Sequence, residues 1–438
     1  MSVRGAWRVI HHDIAEQAPE LAASPGHAGV ILMLWRCGVP LGKLDYLAAE
    51  LPVPAAAVAA SIPAAVAASI GDRLVGRGFE GLLPTRSWRD RAVPDLAAIL
   101  AQQDVGRALD AVLAPPPPPA VGLSLVICTR DRPDALARCL GSLGPNFDAI
   151  AEVIVVDNGA TPAVPRALAA AAAKLRVVAE PRRGLSIARN TGLRHARQEI
   201  VAFTDDDVVL HPDWAARLIA GFTSADTACV TGLVLPAELE TEAQVVFERG
   251  LRGFGQGLQR ITYDPAFFRA TLPYGVPTWR IGAGANMAMR RDVVERLGGF
   301  DERLGAGAAG CSEDSELWYR MLAAGWTCRY EPAAVVFHTH RRDWPALRRQ
   351  MRDYMRGHVA ALLVQYARHG HRGNLRRLAA TIPAHYAQLL IDAALGRDRY
   401  GRVRLMGAEL RGALSGLGAL RWVSARSGPA QPATRVQP

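Results

Sequence analysis

Cysteine is sparse and scattered in this 438-residue chain. Cys37, Cys128, Cys139, Cys229, Cys311 and Cys328 form no CxxC pair, and several lie in apolar runs. That pattern argues against a disulfide framework or a zinc site and fits a reducing compartment. Aromatic residues make up only 6% of the chain and show no stacking motif, so nucleic acid is not an expected partner. There is no GxGxxG fingerprint ("GLSIARNTG" is not one) and no GxxxxGK[ST] run, which removes support for dinucleotide or P-loop chemistry. The opening "MSVRGAWRVIHHDIAEQ" lacks the charged-then-apolar order of a signal peptide. Residues 53–70 carry no charge, but they are mostly alanine with Pro54 and Pro63, and read as a soluble helix rather than a membrane span.

What is present is a large apolar fraction, 50%, enough for a sizeable core. The length allows two or three domains. Lysine is rare beside arginine, and the net charge of +10 suits an anionic partner, although an arginine-rich genome gives the same bias. The run "APPPPPA" at 114–120 marks a boundary. Its prolines favour an extended spacer of about 15 Å at roughly 3.1 Å per residue. Residues 1–113 are read as a mainly helical accessory domain without a chemical motif.

After the linker, short apolar strands alternate with helices. "LSLVICT" (123–129), "EVIVVDNG" (152–159), "RVVAE" (176–180) and "EIVAFT" (199–204) read as strands. "DALARCLGSL" (134–143), 163–175 and 184–198 read as helices between them. The alternation predicts an α/β fold with a parallel sheet and crossover helices, whose ligands bind beyond the carboxyl ends of the strands. Thr129, Asp157 and Asp205–Asp207 fall at such ends. From Trp344 onward, Leu347, Met351, Met355, Leu362 and Tyr366 recur at helical steps, predicting one apolar and one basic face. Residues 341–377 hold ten arginines against two aspartates. Such a face can lie on anionic lipid, or simply be solvated.

Six segments resemble family 2 glycosyltransferases, in their order and approximate spacing: "VICTRDRPDALARCLGSL", "EVIVVDNG", "GLSIARNTGLRHA", "VAFTDDDVVLHPDW", "GANMAMRRDVVERLGGFDE" and "EDSELWYRMLAAGW". The segment "VTGLVLPAELETEAQVVFERG" looks like a bacterial subgroup of that family. The resemblance covers about 122–345. It implies a GT-A, Rossmann-like domain over 121–342, a helical C-terminal extension over 343–425, and a disordered tail at 426–438.

The resemblance also implies transfer of a sugar from a nucleoside diphosphate to an acceptor hydroxyl, with inversion. Envelope, polysaccharide or glycoconjugate synthesis is the implied setting. The acceptor would be a glycan, a lipid-linked molecule or another hydroxyl compound. The location would be cytoplasmic, with peripheral contact to the inner face of the membrane through 341–377. A departing diphosphate needs a hard dication, Mn²⁺ or Mg²⁺, and carboxylates suit one. Asp205 and Asp207 fit the DxD pattern as metal ligands, with Asp207 the more direct. Asp206 would face the donor's ribose or solvent. Taken alone, the triple also suits a turn capping the helix near Pro212.

Asp157 would accept from the nucleotide base, Thr129 would line the same pocket with Asp131 close by, and Arg189 would reach the nucleotide or phosphates. Asp131 departs from the asparagine common there. Asp314 resembles the catalytic base, flanked by Glu313 and Glu316; acidic residues also favour a helix N-terminus. Glu313 and Asn286 would stand on the acceptor side. His338 would complete the metal site, with His340 and Arg341 as neighbours. An i, i+2 pair in extended chain points to opposite faces, so at most one histidine would face the site. Two rival functions are nucleotidyl transfer and catalytically silent binding of a nucleotide sugar.

Overall fold

The computed structural model describes residues 5–75, 79–80, 109–117, 122–159 and 174–421. The helix expected at 163–175 falls almost wholly outside them, as do part of the proline linker and the tail at 426–438.

The central sheet is mixed. Its parallel half runs β8 (Ile200–Asp205), β5 (Leu123–Thr129), β6 (Ile150–Asp157), β7 (Leu175–Ala179). The other half continues from β8 through β12 (Asn286–Arg290), β10 (Thr227–Pro236), β13 (Thr327–His338) and β11 (Ile261–Tyr263). Here β12 lies antiparallel to both β8 and β10, while β10 and β13 are parallel. The short β9 (Val208–Leu210) pairs with β13. The fold class is therefore α/β as expected, but only four of these strands form the continuous parallel run.

Strand β5 shows why the sequence reads as unbroken apolar residues. Leu125 and Ile127 enter one core and Val126 the other, so both faces are covered. The helix Leu185–His195 approaches closely at Gly192, where an added Cβ would sit 2.3 Å from Val126. Fully buried Phe203, Trp214 and Trp318 anchor the layers, each contributing roughly 1.5–3 kcal/mol.

The first 75 residues correct the expectation of a mainly helical domain. They form a three-stranded sheet, β1 (Ala6–Asp13) parallel to β2 (His27–Arg36) and β2 antiparallel to β3 (Val39–Leu47), covered by the helix Ala55–Val75. The run "GVILMLWR" has both faces buried, which hides the period of two that marks a half-exposed strand and lets it pass for part of a helix. This unit is docked rather than separate. Trp7, Ile31 and Met33 share a core with the central sheet, and Trp35 stacks on His211 with centroids 5.6 Å apart. Arg73 pairs with Glu331 at 2.6 Å and Arg260 with Asp72 at 3.0 Å. Helix Ala55–Leu74 is long and apolar enough to cross a membrane, yet Val58, Val66 and Ile70 are buried in the core of this unit.

At the other end, helix Trp344–His369 packs on helix Met406–Gly416. Gly412 and Gly416 lie against the carbonyls of Arg352 and Arg356, where an added Cβ would come within 2.1 and 2.6 Å. The expected single apolar face holds only for the first turns. Residues 359–365 are buried all round.

Candidate functional site

The chain leaves β5 toward β6 on one side and returns to β8 on the other. The carboxyl ends of β5 and β8 therefore diverge at a topological switch point, where α/β sheets hold ligands. A cleft of about 2390 Å³ opens there, walled on its far sides by β1–β3 and the C-terminal helices.

The three aspartates sit on its floor, each beside a protein cation, with Arg132 shared by Asp206 and Asp207. Asp205 ends β8 and takes a contact from Arg189 Nη2 at 3.2 Å. Asp206 is buried and accepts from Thr129 Oγ1 at 2.8 Å and Arg132 Nη1 at 3.1 Å. Burial, then the neighbouring Asp207 charge, pushes its carboxyl up against the pull of Arg132. Asp206 is 5% exposed, which corrects the expectation that it faces solvent, yet it borders the cleft. Asp207 meets Arg132 at 3.0 Å, His338 Nε2 at 3.3 Å and Arg341 at 3.4 Å. Burial works to raise its carboxyl, but His338, Arg341 and Arg132 together hold it below the usual carboxylate range.

Arg189 is 2% exposed and ties this floor to the opposite wall. Its Nη1 donates to Glu313 Oε1 at 2.6 Å and its Nη2 to the Gly284 carbonyl at 3.0 Å. Glu313 opens the helix Glu313–Ala323, and its Oε2 is buried with no partner. Burial pushes its carboxyl up, the adjacent Asp314 adds to that, and Arg189 opposes it. Asp314 lines the cleft, with Oδ2 accepting from Gly284 N–H at 2.8 Å and Oδ1 from Ser315 N–H at 2.6 Å. A side chain at residue 284 would come 2.9 Å from Arg189 and 3.0 Å from Asp314, so only glycine fits that seam. Glu316 is fully buried and paired with Arg320 and Arg368; it does not reach the cleft.

Of the two histidines only His338 lines the cleft, as expected, but not because the side chains point to opposite faces. The strand ends at His338, and the chain then turns, bringing the His338 and His340 Nδ1 atoms within 2.9 Å on one side. His340 Nε2 faces Glu248 at 3.2 Å, and burial lowers its basicity.

Other expected residues separate. Asp157 lies opposite Thr129 in register at the strand ends, and its Oδ1 accepts from Gly159 N–H. Asp131 is exposed, with left-handed φ of 55°, and its carboxylate faces Arg130 at 3.5 Å rather than lining the cleft. Asn286 is not on the acceptor side. It is fully buried, accepting from Trp214 Nε1 and donating to the carbonyls of Leu233 and Ala334, so it braces strands. Sequence reasoning missed Arg132, Gly284, Glu248 and the wall residues His11 and Lys43. Arg132 sits three residues past the end of β5, a place where a strand-end argument finds it; Gly284 and Glu248 lie within the segments that carry the resemblance, and His11 and Lys43 carry no local signal.

Residues 124–298 match the family model "Glycosyl transferase family 2". The chain is 32% identical over 287 residues to a pre-mycofactocin glycosyltransferase of Mycobacterium tuberculosis, a match covering 64% of this chain and 54% of that relative. It thus spans about half of that relative's length. It is 27% identical over 325 residues to the succinoglycan biosynthesis protein ExoM of Rhizobium meliloti, covering 69% of this chain and 96% of ExoM. Among solved structures it is similar to a mannosyltransferase of Pyrobaculum calidifontis in complex with GDP-Man and Mn²⁺, with 21% identity, TM-score 0.45, and coverage of 69% of this chain and 89% of the other. Residues 124–298 are thus a glycosyltransferase family 2 domain.

Proposed function

We propose that the protein transfers a glycosyl group, with inversion, from a nucleoside diphosphate sugar to an acceptor hydroxyl. One observation carries this reading: the Asp205–Asp207 floor and the Asp314 carboxylate open into one cleft and are linked by buried Arg189. Asp314 is the base that takes the acceptor's proton as its oxygen attacks the sugar. The N–H groups of Gly284 and Ser315 fix that carboxylate without filling the space before it. Thr129 and Asp157, at neighbouring strand ends, hold the nucleotide. The relatives' names point to glycoconjugate or polysaccharide synthesis, and the arginine-rich 341–377 supports a place on the cytoplasmic side in peripheral contact with anionic lipid.

The residues also fit a dication. Among the described residues no three metal-ligating side chains already converge. Asp207 and His338 nevertheless suit one. His338 Nε2 stands 3.3 Å from Asp207 Oδ1, so an imidazole nitrogen and a carboxylate oxygen already face each other where a dication would be held, and the His340–Glu248 contact orients the His338 ring behind them. Mn²⁺ or Mg²⁺ held there would neutralise the charge of the departing diphosphate. Arg132 and Arg341 flank the same place.

The test is calorimetric titration of nucleoside diphosphates with and without Mn²⁺, followed by product analysis. Asp314→Asn should keep nucleotide binding and lose about 100-fold or more in transfer. Undiminished turnover in that variant sinks the base assignment. Release of inorganic pyrophosphate instead of a nucleoside diphosphate sinks glycosyl transfer.

A further inference from the structure

The far end of the cleft is basic, and its charge is unspent. Arg377 Nε donates to His358 Nε2 at 3.2 Å, and its guanidinium lies 3.9 Å above the Trp279 ring. Arg402 Nη2 donates to His385 Nε2 at 2.7 Å, while its Nε is buried without a partner. Arg280 lines the same end. Among the described residues no carboxylate oxygen lies within 4 Å of the side-chain nitrogens of these three arginines. Of the arginines that line the cleft elsewhere, Arg132, Arg189, Arg249 and Arg341 each have one, while Arg183, Arg252 and Arg349 stand singly and, among the described residues, have no imidazole hydrogen-bonded to them.

The partners chosen here preserve charge instead of cancelling it. An imidazole that accepts from a guanidinium must be neutral on that nitrogen. Burial, and then the charge of Arg377, pushes His358 down to about 3. His385 is lowered by burial and then by Arg402 and Arg377. Arg377 itself falls to about 10, through burial and Arg280, and so stays cationic at neutral pH. Two carboxylates also border this end. Asp353 is held by Arg352 at 2.9 Å, and Glu409 is raised by burial against the pull of Arg402 and Tyr386, a partial counter-charge to Arg402 alone, and leaves Oε2 unpartnered. Neither neutralises the three guanidinium groups.

We propose that this end of the cleft, walled by Trp279, Arg280, His358, Arg377, His385 and Arg402, binds a phosphate or diphosphate ester carried by the acceptor. Guanidinium forks match phosphate oxygens, and three of them supply more charge than one carboxylate needs. The word acceptor rests on the glycosyltransferase reading; the anion site does not.

The test titrates the full chain with inorganic pyrophosphate in EDTA, which removes metal from the aspartate end. The wild type should bind saturably, and Arg377→Gln and Arg402→Gln should each weaken Kd about tenfold. Both variants should keep wild-type affinity for nucleoside diphosphate with Mn²⁺, and Asp207→Asn should keep wild-type affinity for pyrophosphate. Succinate at equal concentration should not bind. Absent binding by the wild type, unchanged Kd in both arginine variants, a tenfold loss in Asp207→Asn, or equal binding of succinate overturns the proposal. Pyrophosphate binding without nucleotide binding would sink the glycosyltransferase reading and leave this site standing; the reverse would sink this site alone.

Discussion

The two ends of one cleft handle charge in opposite ways. At the aspartate end every carboxylate has a protein cation: Arg189 for Asp205, Arg132 for Asp206, and Arg132, His338 and Arg341 for Asp207. At the arginine end the hydrogen-bonding partners are histidines, which leave the charge in place. The first end is internally neutralised, so an incoming cation must displace partners, and its affinity is set by exchange. The second end awaits a counter-charge from outside.

The largest break in that contrast is Arg189→Leu. Removing a buried cation leaves Glu313 and Asp205 uncompensated, and we expect a loss of about 3 kcal/mol or more in chemical denaturation. A loss under about 1 kcal/mol would show that the floor does not depend on internal neutralisation. Next is Gly412→Ala, which acts on the other end. A methyl group there meets the Arg352 carbonyl and must push the Met406–Gly416 helix away, costing about 1–3 kcal/mol. Pyrophosphate affinity should fall with it, while nucleotide affinity should not. Smallest is Glu180→Gln, beside the loop that borders the aspartate end. Hydrogen bonding by Arg182, opposed by burial and aided by Thr191, lowers the Glu180 carboxyl from 4.5 to about 2. A depressed acid stabilises the fold above its unfolded value, and that stability disappears as pH falls from about 4.5 to about 2. Arg182 is half exposed, so the effect is on the order of 1 kcal/mol, and the variant should flatten the melting temperature over that window.

The parallel strands were legible because each ends in a polar turn after a short apolar run, and the aspartates fell at strand ends for the same reason. Asp314 was singled out only by resemblance, since its place in the first turn of an amphipathic helix suits an ordinary N-terminal acid equally well. Asn286 misled because a polar residue in a motif resembles a ligand until its three buried hydrogen bonds are visible. The histidine argument reached the right residue count by the wrong route, because the two-residue period stops where the strand stops. The opening sheet was hidden by burial on both faces. The arginine end joins residues 280, 358, 377, 385 and 402 through tertiary packing alone, and no spacing in the chain announces it.

The docking of β1–β3 has a consequence for anyone trimming this protein. The stretch that matches the family model is not a detachable module. Cutting away the first 75 residues would bare the apolar flank shared with Trp7, Ile31 and Met33, and strip Glu331 and Arg260 of their opposite charges. A shortened version should aggregate rather than report a minimal enzyme.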